Sequence, residues 1–91
     1  MEYLDVVWRH KIGNEPTRLV SELGNDRYEV RKIEFFPNGE VGYASVGKTN
    51  LGTRLGEAPV PTLEEINSDP QFKGKRITSE EFESLWSSYV L

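Results

Sequence analysis

Cysteine is absent from the 91-residue sequence, and His10 is its only histidine. The first absence excludes a disulfide framework and a cysteine-ligated zinc site, and the second excludes metal motifs that need two histidines. No apolar run reaches the ~18 residues that a membrane span requires, and no basic segment followed by a long apolar stretch opens the chain. We therefore expect a cytoplasmic protein with no metal or other cofactor and no membrane partner.

The negative charge of the chain is concentrated in its last third. The net charge is −4, and hydrophobic residues make up 36% of the sequence, which suits one small domain over residues 1–91. Residues 1–56 hold eight basic and eight acidic side chains, whereas residues 57–91 hold three basic and seven acidic ones. This distribution repels nucleic acid and favours a basic partner.

Alternating apolar and polar residues in the first half predict four strands, at 3–10, 17–23, 27–36 and 40–46. The sequence also leaves room for a fifth, short edge strand around 53–55. Between the third and fourth strands, Pro37, Asn38 and Gly39 fit a hairpin loop in which the glycine has a left-handed backbone. Residues 27–46 are therefore predicted to form an antiparallel hairpin.

The third predicted strand has a conflict in its alternation. Arg27, Glu29 and Arg31 form a polar face, but Ile33 and Phe35 then fall on the same side. Either a bulge near residues 31–32 shifts the pleat by one residue, or the strand is covered on both sides at one end. Periodicity over so few residues does not distinguish the two.

Two capping boxes mark helices in the last third. Thr62 with Glu65 predicts a short helix near 62–68, and Thr78 with Glu81 predicts a C-terminal helix near 78–89. In a capping box the threonine side chain and the glutamate side chain each bond the backbone at the other residue, which stabilises a helix start.

The C-terminal helix carries an apolar stripe at spacings i, i+3, i+4 and i+7. We expect this stripe to pack on one face of the sheet, with Trp8 and Tyr28 as neighbours. Four strands, with room for a fifth, followed by two helices predict an α+β fold built on an antiparallel sheet. The stripe consists of Phe82, Leu85, Trp86 and Tyr89.

The stretch GYASVGKT, residues 42–49, matches the spelling of a nucleotide-binding P-loop. A P-loop needs a buried strand, a loop around the phosphates and a helix that starts at the lysine. Residues 43–46 instead continue the hairpin strand, and residues 49–59 are rich in helix breakers. A nucleotide-binding enzyme acting through Gly42–Thr49 is therefore disfavoured, and we predict that Gly42 is a close-packed strand position and that Gly47 ends the strand.

His10 is the one candidate general base of a hydrolase-like site. Asp5 or Glu15 could orient its ring, and Ser21 or Ser45 could be the nucleophile. Nothing in the sequence places these residues together, and a single histidine at a strand end is typically structural. We expect no enzymatic activity.

The acidic last third predicts a non-enzymatic protein-binding module, of which an immunity- or antitoxin-type role is a special case. Its partner would be another protein with a basic surface. The alternative is a small nucleic-acid-binding domain that uses an exposed, charged sheet face of Arg27, Glu29 and Arg31. Nucleic acid is the less favoured partner, because acidic residues lie among the basic ones. The predicted acidic helical surface consists of Glu64, Glu65, Glu80 and Glu83.

The string as a whole also resembles a known group of sequences. The stretches DRYEVRKIEFFPNGEVGYAS, LGEAPVPTLEEINSDPQF and ITSEEFESLW are similar to a family of small, mainly bacterial, stand-alone domains of unknown function. The likeness spans residues 3–86 and implies a single cytoplasmic domain. Because the family has no established activity, the resemblance implies no catalytic residue.

Overall fold

Six antiparallel strands and two helices form the part of the chain that the computed structural model describes, residues 1–90. The spatial order of the strands is β5-β4-β3-β2-β1-β6. The last residue of the predicted 1–91 domain lies outside the described residues. The elements are β1 (Glu2–Trp8), β2 (Arg18–Leu23), β3 (Glu29–Phe35), β4 (Val41–Ser45), β5 (Lys48–Thr49), α1 (Leu63–Ser68), β6 (Phe72–Ile77) and α2 (Ser79–Tyr89).

The α+β class, the antiparallel sheet and both helices are confirmed, and each helix starts with the predicted capping box. The predicted strand number of four or five is wrong, because residues 1–90 contain six strands. The short strand β5 lies at 48–49 and not around 53–55, and β6 lies between the helices, where the sequence pattern predicts no strand. The β6 sequence, FKGKRI, contains two lysines and a glycine, which are weak strand formers.

The predicted hairpin at 27–46 is confirmed as β3 and β4. Its loop is the predicted three-residue form, since Phe36 and Glu40 face each other and the Phe36 N–H donates to the Glu40 carbonyl at 3.0 Å. The Gly39 N–H donates back to the Phe36 carbonyl at 3.0 Å, and Gly39 has a φ of 89°. A glycine takes that left-handed backbone without steric cost.

A bulge interrupts β3 at Val30, one residue before the predicted position. Glu22 of β2 pairs with Arg31, whereas Leu23 pairs with Glu29, so that Val30 has no partner in the ladder. In a regular strand, Glu29 and Arg31 would lie on the same face of the sheet. The extra residue turns Glu29 to the opposite face from Arg31.

The helices cover opposite faces of the sheet. On the side that we call the α2 face, Phe82 is fully buried against Val20 and Ile33 at the centre of the sheet. On the other side, the α1 face, Leu63 and Ile66 of α1 pack on a second buried cluster. That cluster consists of Leu4, Val6 and Leu23.

Arg31 joins α2 to the sheet. Its Nε donates to a carboxylate oxygen of Glu22 at 2.6 Å, and its two terminal nitrogens donate to both oxygens of Glu83 on α2. The guanidinium carbon lies 4.8 Å from the ring centre of Phe82 and 5.0 Å from that of Trp86. The hydrogen bonds to Glu22 and then to Glu83 raise the pKa of Arg31, and Arg31 in turn lowers the pKa of Glu83.

Asparagine side chains bond exposed backbone groups of β6 and of the part of β4 that β5 leaves unpaired. At the β6 edge, Asn67 accepts the Gly74 N–H at 2.7 Å and donates to the Gly74 carbonyl at 3.0 Å. On β4, beyond its two pairs with β5, Asn50 accepts the Tyr43 N–H at 2.6 Å and donates to the Val41 carbonyl at 3.2 Å. Backbone groups that could template another strand are therefore already bonded at these positions.

We expect Arg31→Ala to lower the free energy of unfolding by about 3 kcal/mol, because it leaves the Glu22 carboxylate buried without its charge partner. Urea denaturation followed by circular dichroism measures the change. Arg54→Ala, at an exposed position, is the matched control and should stay within about 0.5 kcal/mol of the wild type. A loss for Arg31→Ala no larger than that of the control would contradict the role of Arg31.

We expect the double variant Asn50→Ala/Asn67→Ala to self-associate more strongly than the wild type, because it exposes unpaired backbone groups on β6 and on the part of β4 that β5 leaves unpaired. Light scattering during size-exclusion chromatography at rising protein concentration measures the mass. The control is Asn14→Ala/Asn25→Ala, which alters two exposed asparagines outside the sheet. The edge-closing role is wrong if the two double variants and the wild type have the same mass throughout.

Candidate functional site

A groove with a volume of about 530 Å³ opens on the α1 face, between α1 and β3. Its floor is made by alternate residues of β1 and β2, which the pleat turns to the same side. The volume lies within the range of about 300–1,000 Å³ that is typical of ligand pockets. The floor residues are Leu4, Val6, Leu19 and Ser21.

The walls of the groove are also largely apolar. Ile66 of α1 and Phe72 of β6 line one side, and Val60 with Pro61 line the end that leads into α1. The helix can lie this close to the strands because Gly74 has no side chain. A Cβ at that position would lie 2.9 Å from a methyl carbon of Leu63.

Arg27 holds the wall segment in place. The Val60 N–H donates to the Arg27 carbonyl at 2.9 Å, and the Arg27 Nε donates back to the Val60 carbonyl at 2.8 Å. A further guanidinium nitrogen donates to the Pro61 carbonyl at 2.7 Å, and the same group forms an ion pair with Glu2. Arg27 is therefore a structural residue of the groove.

Of the residues that the structure describes, three carboxylates and no lysine, arginine or histidine line the groove. Hydrogen bonds orient two of them through one oxygen each. The Oε1 of Glu65 accepts from the Thr62 N–H and hydroxyl, and the Oδ1 of Asp69 accepts from the Gln71 N–H at 2.9 Å. The third carboxylate is Glu29 of β3.

The Glu29 carboxylate belongs to a largely covered polar network beside the groove. The Lys32 ammonium lies 3.1 Å from Glu29 and 3.9 Å from Glu34, and the Thr53 hydroxyl donates to Glu34 at 3.0 Å. The Gly56 N–H donates to Glu29. Because Lys32 compensates Glu29, the negative charge that faces the groove without an ion-pair partner among residues 1–90 is that of Glu65 and Asp69.

The four predicted acidic residues do not form one continuous surface. Glu64 and Glu65 lie on α1, whereas Glu80 and Glu83 lie on α2, across the sheet. Glu83 is bonded to Arg31, and the Ser79 hydroxyl donates to Glu80 at 2.8 Å and lowers the pKa of that carboxyl. Of the four, only Glu65 lines the groove.

The predicted exposed sheet face of Arg27, Glu29 and Arg31 is wrong as to exposure. All three side chains are ion-paired and at most 27% exposed. The bulge at Val30 and coverage of the sheet on both sides explain the error, and it is Tyr28 that remains 41% exposed. The structure does bring Glu29 and Glu65, which belong to separate predicted sets, to the same groove.

Residues 42–49 form a β-hairpin and not a P-loop. Gly42 lies in β4, Val46 and Gly47 form the turn, and Lys48 pairs with Ser45 as β5 begins. No helix starts at the lysine, since the next helix, α1, begins at Leu63, so the phosphate cradle of a P-loop is missing here. The predicted close packing of Gly42 is confirmed, because a Cβ there would lie 2.1 Å from the Thr53 hydroxyl oxygen.

His10 is engaged with backbone groups through both ring nitrogens. Its Nε2 lies 2.7 Å from the Pro16 carbonyl oxygen, and its Nδ1 accepts the Ile12 N–H at 2.9 Å. Asp5, one of its predicted orienting residues, is bonded to Arg18 by two hydrogen bonds. Within residues 1–90, no group of three or more histidines and carboxylates is placed to hold a metal ion.

The chain belongs to a family described as Domain of unknown function (DUF6881), whose model matches residues 2–91. The resemblance to a family of unknown function is thereby confirmed. No curated protein and no solved structure matches the chain. Among residues 1–90, none of the helices has both the length and the apolar character to span a bilayer.

We expect the ion pairs of Glu2 with Arg27 and Arg76 to weaken in acid. The hydrogen bond from Arg76, at 2.7 Å, and the bond from Arg27 hold the pKa of Glu2 below its usual value of 4.5. A carboxyl with a lowered folded-state pKa stabilises the fold above its unfolded pKa, and that contribution is lost as the pH falls through the folded pKa. Glu2→Gln should therefore destabilise the protein near neutral pH, and the difference from the wild type should shrink below about pH 4.5.

Urea midpoints measured across this pH range test the expectation. Glu40→Gln is the control, since Glu40 is exposed and lies outside any ion pair among the described residues. A Glu2→Gln effect that does not change with pH would show that the ionised pair is not its source.

Proposed function

We propose that the protein is a non-enzymatic protein-binding module and that the α1-face groove receives a segment of its partner. The observation that carries the proposal is an apolar floor bordered by oriented carboxylates. Apolar floors of this kind receive the side chains that dominate binding at protein interfaces, and polar groups at the border select among partners.

The groove is favoured over the edges and the other face as a binding surface. The asparagine bonds at β4 and β6 oppose strand addition, which is the usual way that a sheet edge binds a peptide. On the α2 face, the helix already covers the central apolar residues of the sheet. The recess on that face beyond α2 is smaller, at about 450 Å³, and three cationic side chains, Arg18, Lys73 and Lys75, are among the residues that line it.

A toxin-neutralising role of the immunity or antitoxin type is one form of this function. In such a role the protein occupies a basic surface of its partner, and an acidic border suits that task. Nucleic-acid binding has less support, because the lining carboxylates repel phosphates and because Arg27 and Arg31 already have charge partners.

A groove-filling substitution tests the proposal. Leu19 lines the groove and is only partly buried, so Leu19→Trp should fill the floor while the core stays intact. Val46→Trp adds the same side chain at the β4–β5 turn, where Val46 is 89% exposed. Peptides selected from a random library on the wild type should lose at least about tenfold in affinity for Leu19→Trp and keep their affinity for Val46→Trp.

Fluorescence anisotropy of the selected peptides measures these affinities, and thermal denaturation checks that both variants are folded. If the folded Leu19→Trp variant binds every selected peptide as tightly as the wild type does, the groove is not the binding site and the proposal fails. Amide chemical shifts that move at Leu19, Ser21 and Ile66 upon titration would locate binding independently of the variant.

A further inference from the structure

We infer that the partner segment bound in the groove carries an arginine or lysine beside an aliphatic side chain. The description of the family does not specify such a partner. The inference rests on the proposed function of the groove. It concerns the chemistry that the groove selects, and it names two carboxylates, Glu65 and Asp69, as the selecting residues.

The charge of the groove supports a cationic occupant. Within the described part of the chain, residues 1–90, Glu65 and Asp69 face it without an ion-pair partner, and neither a lysine nor an arginine lines it. The hydrogen bonds from Thr62 and Gln71 fix both carboxylates in place before any ligand arrives. Oriented carboxylates lose little freedom when they accept a guanidinium or an ammonium group.

The floor supports an aliphatic neighbour for that cation. Leu4 and Val6 contribute to the floor, and Phe72 lies beside Asp69, whose carbonyl accepts the Phe72 N–H at 3.0 Å. An apolar side chain on this floor would exclude water next to the carboxylates, and ion pairs strengthen when water is excluded. A long basic side chain could also lay its methylene groups along the apolar wall while its charge reaches the border.

Glu65→Gln and Asp69→Asn together remove the two charges but keep the hydrogen bonds. A glutamine oxygen can accept from Thr62 in the capping box, and an asparagine oxygen can accept from Gln71. The matched control is Glu64→Gln/Glu80→Gln, which removes two charges that do not line the groove and so gives the same net charge.

Three capped peptides are the probes: Ala-Leu-Arg-Leu-Ala, the same peptide with citrulline in place of arginine, and the same peptide with glutamate there. Citrulline keeps the shape of arginine and removes its charge. Amide chemical-shift titrations of the ¹⁵N-labelled protein at about 50 mM and about 300 mM salt measure the affinities, because salt screens the charge contribution.

We expect the arginine peptide to bind the wild type and to shift the amides of the groove. The citrulline peptide, and the Glu65→Gln/Asp69→Asn variant with the arginine peptide, should each bind about five- to tenfold more weakly at low salt, with a smaller difference at high salt. The glutamate peptide should bind most weakly. The control variant should stay within about twofold of the wild type.

The outcomes separate the inference from the proposed function. If arginine and citrulline peptides bind equally and both are lost in Leu19→Trp, the groove binds peptides but does not select a cation, and only the inference is overturned. If both double variants weaken binding equally, the effect is general charge and the inference is likewise overturned. If Leu19→Trp leaves binding of all three peptides unchanged, the proposed function fails with it.

Discussion

The contact of Arg31 with Glu22 and Glu83 is the interaction on which the two-sided architecture depends. This contact fixes α2 to β2 and β3, because the Arg31 guanidinium bonds one carboxylate of the sheet and one carboxylate of the helix. The same guanidinium lies on the aromatic rings of Phe82 and Trp86, so the helix is held by packing and charge at one place. A helix fixed in this way can shield Val20 and Ile33, and the sheet keeps its other face for α1 and the groove.

The bulge at Val30 is what makes the two faces chemically different. Without it, Glu29 would share a face with Arg31, and the groove would lose one of its lining carboxylates. With it, β3 sends one charged residue to each side within three positions. A short strand can thereby serve the core contact on one side and the binding groove on the other.

Local signals account for the parts of the fold that the sequence predicts. Each capping box involves residues three positions apart, and the Pro37-Asn38-Gly39 loop is set by its own backbone preferences. The strand β6 could not be predicted in this way, because its lysines and glycine give little strand signal and its pairing partner β1 lies more than sixty residues earlier. The prediction that Trp8 and Tyr28 neighbour the apolar stripe of α2 is wrong for a related reason. Trp8 stacks on Phe72 on the α1 face, and Tyr28 precedes the bulge at which the alternation changes.

The spatial grouping of the carboxylates cannot be predicted from the sequence. The excess of carboxylates in the last third is a property of composition, but their grouping depends on which face of the sheet each helix covers. Glu83 forms an ion pair with Arg31 within the fold. Glu65 caps its helix through one oxygen and still faces the groove. A helix-capping carboxylate can therefore serve stability and recognition together, because the hydrogen bonds that start the helix also aim its charge. Glu65 can have both roles because α1 lies beside the apolar floor of the groove. That floor exists only because strands that are distant in sequence pair with each other.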